Sequence, residues 1–247
     1  MQSSGRIALV TGASSGIGAA TVRALAADGL ATIAAARRLE RCQELAREVG
    51  GRALRLDVAD PASVGELARE LPEVDVIVHS AGGALGLEPV ERADEDRWRE
   101  MWESNVAGVM RVTKALLGPL RRGRDPQIVI VGSVAGVEVY EGGGGYTAAK
   151  HAVNALARTL RLELLGDGVR VTEVAPGMVE TEFSLVRFGG DAERAAEVYR
   201  GLAPLRARDV AEVIAFCVSR PVHVDLDYVG VKPTAQATAT VADRRER

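Results

Sequence analysis

Short runs of apolar, often β-branched residues alternate along the chain with longer stretches whose apolar positions recur every three or four residues. The first pattern marks buried strands and the second amphipathic helices. Residues 7–11 form a brief apolar run after Gly5, too short for a helix. In 14–28, Ile17, Ala20, Ala24 and Leu25 recur at helical spacing and Gly29 supplies a stop. The same reading predicts further strands at 31–36, 52–56, 74–79, 127–131, 169–174 and 228–231. It predicts further helices at 39–49, 61–71, 95–117, 146–165 and 208–219. Asp60 stands where it caps the helix at 61–71, with Pro61 in its first position. Residues 183–200 are mixed, a helix broken by a loop at Gly189 and Gly190. The segment from Thr234 is small and polar, then charged, and is expected to be poorly ordered unless a partner subunit holds it.

Strand–helix alternation without a linker or repeat predicts an α/β chain. The expected architecture is one doubly wound domain, a seven-stranded parallel sheet with helices on both faces. Residues 1–233 make up that domain, and 234–247 a flexible tail. The run at 74–79 is nearly all apolar, as in strands covered on both faces.

Composition narrows the chemistry. The 247 residues carry 31 Lys and Arg against 34 Asp and Glu, so no basic excess points to nucleic acid. Cys42 and Cys217 form neither a disulfide framework nor a zinc motif, which suits a reducing cytoplasm. Residues 1–6 are too short and polar for a signal peptide, and no run reaches the roughly 18 apolar residues of a membrane span. His79, His151 and His223 are scattered, so a histidine metal centre is not expected. Acid–base work then falls to other residues, and each of the four tyrosines merits inspection.

The first strand runs into Thr11-Gly12-Ala13-Ser14-Ser15-Gly16-Ile17-Gly18, and a helix follows. That is the context of a dinucleotide-binding turn. Gly12 permits the tight turn, Gly16 close approach of a pyrophosphate, and Gly18 close helix–sheet packing. The helix N-terminus offers free N–H groups and a positive dipole. At the end of the second strand, Ala36-Arg37-Arg38 places no carboxylate against a ribose 2′-phosphate and two guanidinia that pair with one. This favours NADP(H) over NAD(H), with Arg37 the first contact and Arg38 the second. The other reading is a solvated arginine pair opening a helix.

Tyr146-Thr-Ala-Ala-Lys150 places two polar groups one helical turn apart. A free tyrosine, with a pKa near 10, is a poor acid–base catalyst, and a nearby ammonium lowers that value. Ser133 lies thirteen residues before Tyr146, just past the fifth strand.

The T-G-x-x-x-G-x-G turn, this serine–tyrosine–lysine spacing and Asn105 in Asn-Val-Ala-Gly, in order over nearly the whole chain, resemble the short-chain dehydrogenase/reductase family. The resemblance implies a Rossmann fold and a hydride-transferring oxidoreductase acting on a secondary alcohol or its carbonyl. It implies that Ser133 donates to the substrate oxygen and Tyr146 moves the proton. Lys150 would hold the nicotinamide ribose and lower the Tyr146 pKa, while Asn105 holds a water. It further implies adenine contact by Asp57 and Val58; Asp57 alternatively caps the segment behind it. Ser14, Ser15 and Ile17 belong to the phosphate turn, and Ser80, Ala81 and Gly82 to the cofactor wall. Pro176, Gly177, Val179 and Thr181 form the loop over the nicotinamide, and about 178–204 a substrate lid. Relatives commonly assemble as homotetramers or homodimers.

Where the family has Asn-Asn-Ala-Gly, this chain has His79-Ser80-Ala81-Gly82. His79 is read as a packed structural substitute in preference to a base. Val134, Ala135, Glu138, Val139, Tyr140, Met178 and Phe183 are candidate pocket walls; for Glu138 and Tyr140 a solvent-facing position fits equally. The four glycines at 142–145 suggest either a flexible turn or a mouth widened for a bulky substrate. Arg187 is the one lid candidate for a substrate carboxylate, read in preference as solvated. The Ala-Arg-Arg and the segments around His223 and Pro233 resemble a subgroup with NADP-dependent 3-hydroxy acid and serine dehydrogenases and clavulanate-type aldehyde reductases. A nucleotide-sensing regulatory protein and a non-redox lyase or epimerase are the competing functions, and intact Ser133, Tyr146, Lys150 and Asn105 favour redox chemistry.

Overall fold

A computed structural model describes residues 5–245. Seven parallel strands form one sheet: β1 (Ile7–Thr11), β2 (Ala31–Ala36), β3 (Arg52–Arg55), β4 (Val76–His79), β5 (Gln127–Val131), β6 (Arg170–Pro176) and a later edge strand, Tyr228–Val231. The spatial order is β3-β2-β1-β4-β5-β6 and then that edge strand, so the order reverses between β1 and β4. Ligands of open α/β sheets bind at such a reversal, beyond the carboxyl ends of the strands.

Alternate residues of each strand feed two cores. Leu9, Ile33, Ile77, Ile128 and Val171 face α3 (Pro61–Glu70), α5 (Gly108–Arg121) and α6 (Gly144–Glu163). The opposite residues, among them Val10, Ala34, Val78 and Val174, face α1 (Gly16–Ala27), α2 (Leu39–Val49) and the helix Ala207–Val218. Leu116 of α5 is fully buried in the first core. Leu116→Ala should cost about 2–5 kcal/mol of stability, read as a lowered midpoint in urea; an unchanged midpoint would show that the site collapses around the gap.

The predicted long helix at 95–117 is interrupted. It is divided into α4 (Glu95–Trp102), a π-helical turn (Glu103–Ala107) and α5. Such wide turns concentrate at functional positions, and this one carries Asn105. Asp60 does cap α3, accepting from the Ala62 N–H.

Past β6 the chain forms β7 (Val179–Glu180), α7 (Phe183–Arg187), α8 (Ala192–Glu197), β8 (Leu205–Arg206), α9 (Ala207–Val218) and β9 (Tyr228–Val231). β7 and β8 pair as a separate two-stranded parallel sheet. The tail that composition gave no reason to order makes specific contacts over 234–245. Gln236 is buried, and its Oε1 accepts from the Met178 N–H at 2.8 Å. Arg244 donates to the carbonyls of Val198 and Arg200. Among the described residues no helix is long and apolar enough to cross a membrane, and no cluster of His, Cys, Asp or Glu is arranged to hold a metal ion.

Candidate active site

The glycine turn joins β1 to α1 directly under the β1/β4 reversal. Gly12 has φ +67°, and a Cβ there would lie 2.7 Å from the Ser80 carbonyl and the Ala81 nitrogen. Only glycine fits both the conformation and that approach. Thr11 ties the two strand ends together, its Oγ1 accepting from the Ser80 and Ala81 N–H groups at 3.1 and 3.2 Å. At the start of α1, Ser15 makes no side-chain capping bond, and the first turn carries no acid. The helix N-terminus thus keeps donors and a positive dipole for an anion. Thr181 lies over the turn, 3.4 Å from where a Gly16 Cβ would be. Gly18 meets Gly12 and Ala13 closely enough that a methyl would collide.

The two arginines take different places in the free site. Arg37 is exposed, and its side chain makes no hydrogen bond or ion pair among the described residues. Arg38 instead reaches the glycine turn. Its Nε donates to Ser14 Oγ at 3.1 Å and its Nη2 to Ser15 Oγ at 2.8 Å. Its Nη1 pairs at 2.9 Å with Glu182, which also takes Arg41 at 2.8 Å. Two guanidinia hold the Glu182 carboxyl down at about 2. Arg41 is one helical turn beyond Arg38 in α2, a spacing that was available in the sequence. The Glu182 pairing, 141 and 144 positions away, was not. Asp57 Oδ1 accepts from the Ala59 N–H two residues on, and Val58 is buried against Gly108.

Ser133, Tyr146, Lys150 and Asn105 converge beyond the ends of β4 and β5, and all are buried. Ser133 opens the turn after β5, its Oγ accepting from the Ala135 N–H at 3.1 Å, and it stands close enough to Tyr146 to favour the phenolate. Tyr146 sits in the first turn of α6, its ring edge-on to Phe183 at 5.5 Å. Burial pushes its phenol up to about 12, while Ser133 and Arg187 pull the other way. The Lys150 Nζ lies 5.8 Å from the Tyr146 ring centroid and donates to the Val131 carbonyl at 2.9 Å. Burial lowers its pKa to about 8, and Glu173 opposes that fall. Asn105 donates to the carbonyls of Gly83 and Met101, and its buried Oδ1 has no partner. Gly82 lies beside that oxygen, where a Cβ would approach to 2.5 Å.

His79 is buried and hydrogen-bonds Thr113 of α5 at 2.9 Å. Burial lowers its pKa to about 3, so the imidazole is neutral at physiological pH. This is the packed structural role.

Several pocket candidates line the tyrosine: Ala135, Tyr140 and Phe183 pack in one apolar cluster with Tyr146. Glu138 does not. Its carboxylate accepts from the Ala239 N–H of the tail and faces Lys232. Val139 is largely exposed. The glycine run at 142–145 is filled rather than open. Missing side chains at Gly143 and Gly145 admit the Tyr140 ring and Met101 with Trp98. α6 begins inside the run, at Gly144. A widened mouth is therefore not what these glycines make.

Arg187 is the largest departure from the expected solvated position. Its guanidinium carbon lies 5.3 Å from the Tyr146 ring centroid and 5.5 Å from those of Tyr140 and Phe183. It donates to the Tyr140 hydroxyl. Its Nε is buried without a partner, and no carboxylate pairs with it among the described residues. The Arg187 carbonyl accepts from the Gly86 N–H, which pins α7 to the loop after β4.

The family model of the short chain dehydrogenases matches residues 6–187. The chain belongs to the short chain dehydrogenase family. An uncharacterized oxidoreductase of Mycobacterium tuberculosis H37Rv is 58% identical over 95% of this chain and 94% of its own. Sulfoacetaldehyde reductase 2 of Chromohalobacter salexigens is 43% identical over 97% and 99%. Among solved structures, the closed form of serine dehydrogenase complexed with NADP+ superposes with a TM-score of 0.90. It is 36% identical and covers 97% of this chain and 100% of that one. These findings make the chain a Rossmann-type oxidoreductase of the subgroup that the Ala-Arg-Arg and C-terminal segments resemble.

Proposed function

We propose that this protein is an NADP(H)-dependent oxidoreductase that interconverts a small acid-bearing secondary alcohol and its carbonyl. The observation that carries the reading is Arg187, a guanidinium held over the ring of Tyr146 with no carboxylate partner among the described residues. Its Nε is buried without an acceptor; a buried donor left unpaired is costly, and a substrate carboxylate or sulfonate would supply the acceptor. Both named relatives, a serine dehydrogenase and a sulfoacetaldehyde reductase, take their names from small substrates carrying an anion.

The nucleotide fits the residues present. The uncapped α1 N-terminus and the Gly12–Gly18 turn would take the pyrophosphate, with Thr181 and Val179 above it. Asp57 and Val58 would meet the adenine, and Arg38 with Arg37 the 2′-phosphate. When bound, the nicotinamide supplies or accepts the hydride. Ser133 donates to the substrate oxygen and fixes its position. Tyr146 gives that oxygen a proton in reduction and removes it in oxidation. Lys150 favours the phenolate by its charge, and the Asn105 Oδ1 is free to hold a water on the path from Lys150 to solvent.

Replacing Arg38 tests the cofactor choice. Arg38→Ala should weaken NADPH binding about 10–100-fold and NADH binding far less, because a charge-assisted pair to phosphate contributes roughly 1.5–3 kcal/mol. Fluorescence titration with both nucleotides measures the difference; equal losses would assign Arg38 to the turn alone. The substrate class is tested by following NADPH consumption against small oxo acids and sulfo-aldehydes beside their neutral esters and amides. Preference for the neutral compounds would reject the acid-bearing class, and no turnover with any would favour a nucleotide sensor.

A further inference from the structure

Glu173 has no place in the chemistry above, yet it is buried on β6 beside the turn that carries Ser133. It projects from β6 on the same face as Val171, toward α6. Its Oε2 accepts from Asn154 Nδ2 at 2.7 Å, one helical turn beyond Lys150 on α6. Its Oε1 has no hydrogen-bond partner among the described residues. The turn carrying Ser133 is shaped around that oxygen. A Cβ at Gly132 would lie 2.1 Å from it, and one at Gly136 would lie 3.6 Å away. Val131, whose carbonyl holds the Lys150 ammonium, immediately precedes Gly132.

A carboxylate buried with one open oxygen is expensive unless a positive charge answers it. The same holds for Lys150, a buried ammonium with a single carbonyl acceptor in the free site. The remaining charged and titratable groups near Glu173 are Arg161 farther along α6 and Tyr228, its register partner on β9, with Glu138 beyond. Arg161 is already engaged by the carbonyls of Val171 and Asp227 and by Asp225.

We propose that Glu173 is the counter-charge of Lys150: a positioning residue that keeps the lysine an ammonium inside the closed site and acts on Tyr146 only through it. The two groups form no direct ion pair; the carboxylate answers the ammonium across Val131 and Gly132, and Asn154 orients it. The reading also explains why this strand interior tolerates a glutamate. Burial pushes both groups toward their neutral forms, and each opposes that shift in the other. The step through Lys150 rests on the oxidoreductase reading, but the counter-charge does not.

The test follows the lysine directly. Lys114, Lys150 and Lys232 are the only lysines in the chain, so lysine side-chain NMR of the labelled full-length protein gives three titrations, assigned with Lys114→Arg and Lys232→Arg. In Glu173→Gln the Lys150 titration should move down by about one pH unit or more, with the other two unmoved. Asn154→Leu, which strips the carboxylate of its donor, should shift it the same way by less; this variant also serves if Glu173→Gln does not fold. The alkaline limb of kcat/KM should move down with the lysine. An unmoved Lys150 titration in either folded variant overturns the proposal, as does a loss of activity uniform across pH. Wild-type turnover is measured separately, so absent oxidoreductase activity would leave the lysine titration to decide on the counter-charge.

Discussion

Tyr146→Phe should lower kcat by about 10²–10⁴-fold while leaving NADPH affinity within about twofold. The substitution removes only the hydroxyl. The ring keeps its edge contact with Phe183, its place in the buried cluster and its face under Arg187. What is lost is the single phenolic oxygen, whose proton Ser133 helps to loosen. In the free site that phenol holds its proton tightly, at about 12, because burial outweighs Ser133 and Arg187. Proton transfer near neutral pH therefore needs the positive charges assembled around the ring to favour the phenolate. Stopped-flow single turnovers with NADPH, alongside a binding titration, separate the two effects. Turnover near the wild-type rate would reject Tyr146 as the acid–base group.

The second large effect concerns Arg187. Arg187→Met should raise KM for an acid-bearing substrate about 10–100-fold and leave that of its neutral ester nearly unchanged. The methionine keeps an apolar stem among Tyr140, Tyr146 and Phe183, so the loss is one of charge and of hydrogen-bond donors. Arg187→Lys should recover only part of the affinity, since a point charge lacks the planar fork that matches a carboxylate or sulfonate. Steady-state kinetics on an acid and its methyl ester provide the comparison. Equal losses on both would place Arg187 in the lid's architecture and not in substrate recognition.

Much of the site was legible because its motifs are local. The glycine turn is constrained by backbone geometry within eight residues, and Tyr146 and Lys150 by one turn of helix. Ser133 and Asn105 fall at strand and helix positions that periodicity located to within a few residues. The missed features join distant segments. Arg38 is tied to the turn by Ser14, Ser15 and Glu182, contacts that no pattern in Arg37-Arg38 reveals. For Glu138 the sequence left a pocket wall and a solvent-facing position equally open, and the tail and Lys232 decided against the pocket. The glycines at 142–145 left a flexible turn and a widened mouth both open until Trp98, Met101 and Tyr140 filled the space.

By itself the sequence determined the seven strands, their parallel winding, the phosphate turn and the Ser133–Tyr146–Lys150 set. The strands, the turn and the Tyr146–Lys150 pair follow from local spacing, where backbone periodicity dictates which residues share a face, and Ser133 joins them through the resemblance to the family. Only the tertiary structure decided the environment of those residues. It placed Arg187 on the Tyr146 ring, Glu173 against Asn154 of α6 and Glu182 between two arginines. Charge, burial and pairing depend on what the fold packs against a side chain from afar, and sequence spacing carries no such distance.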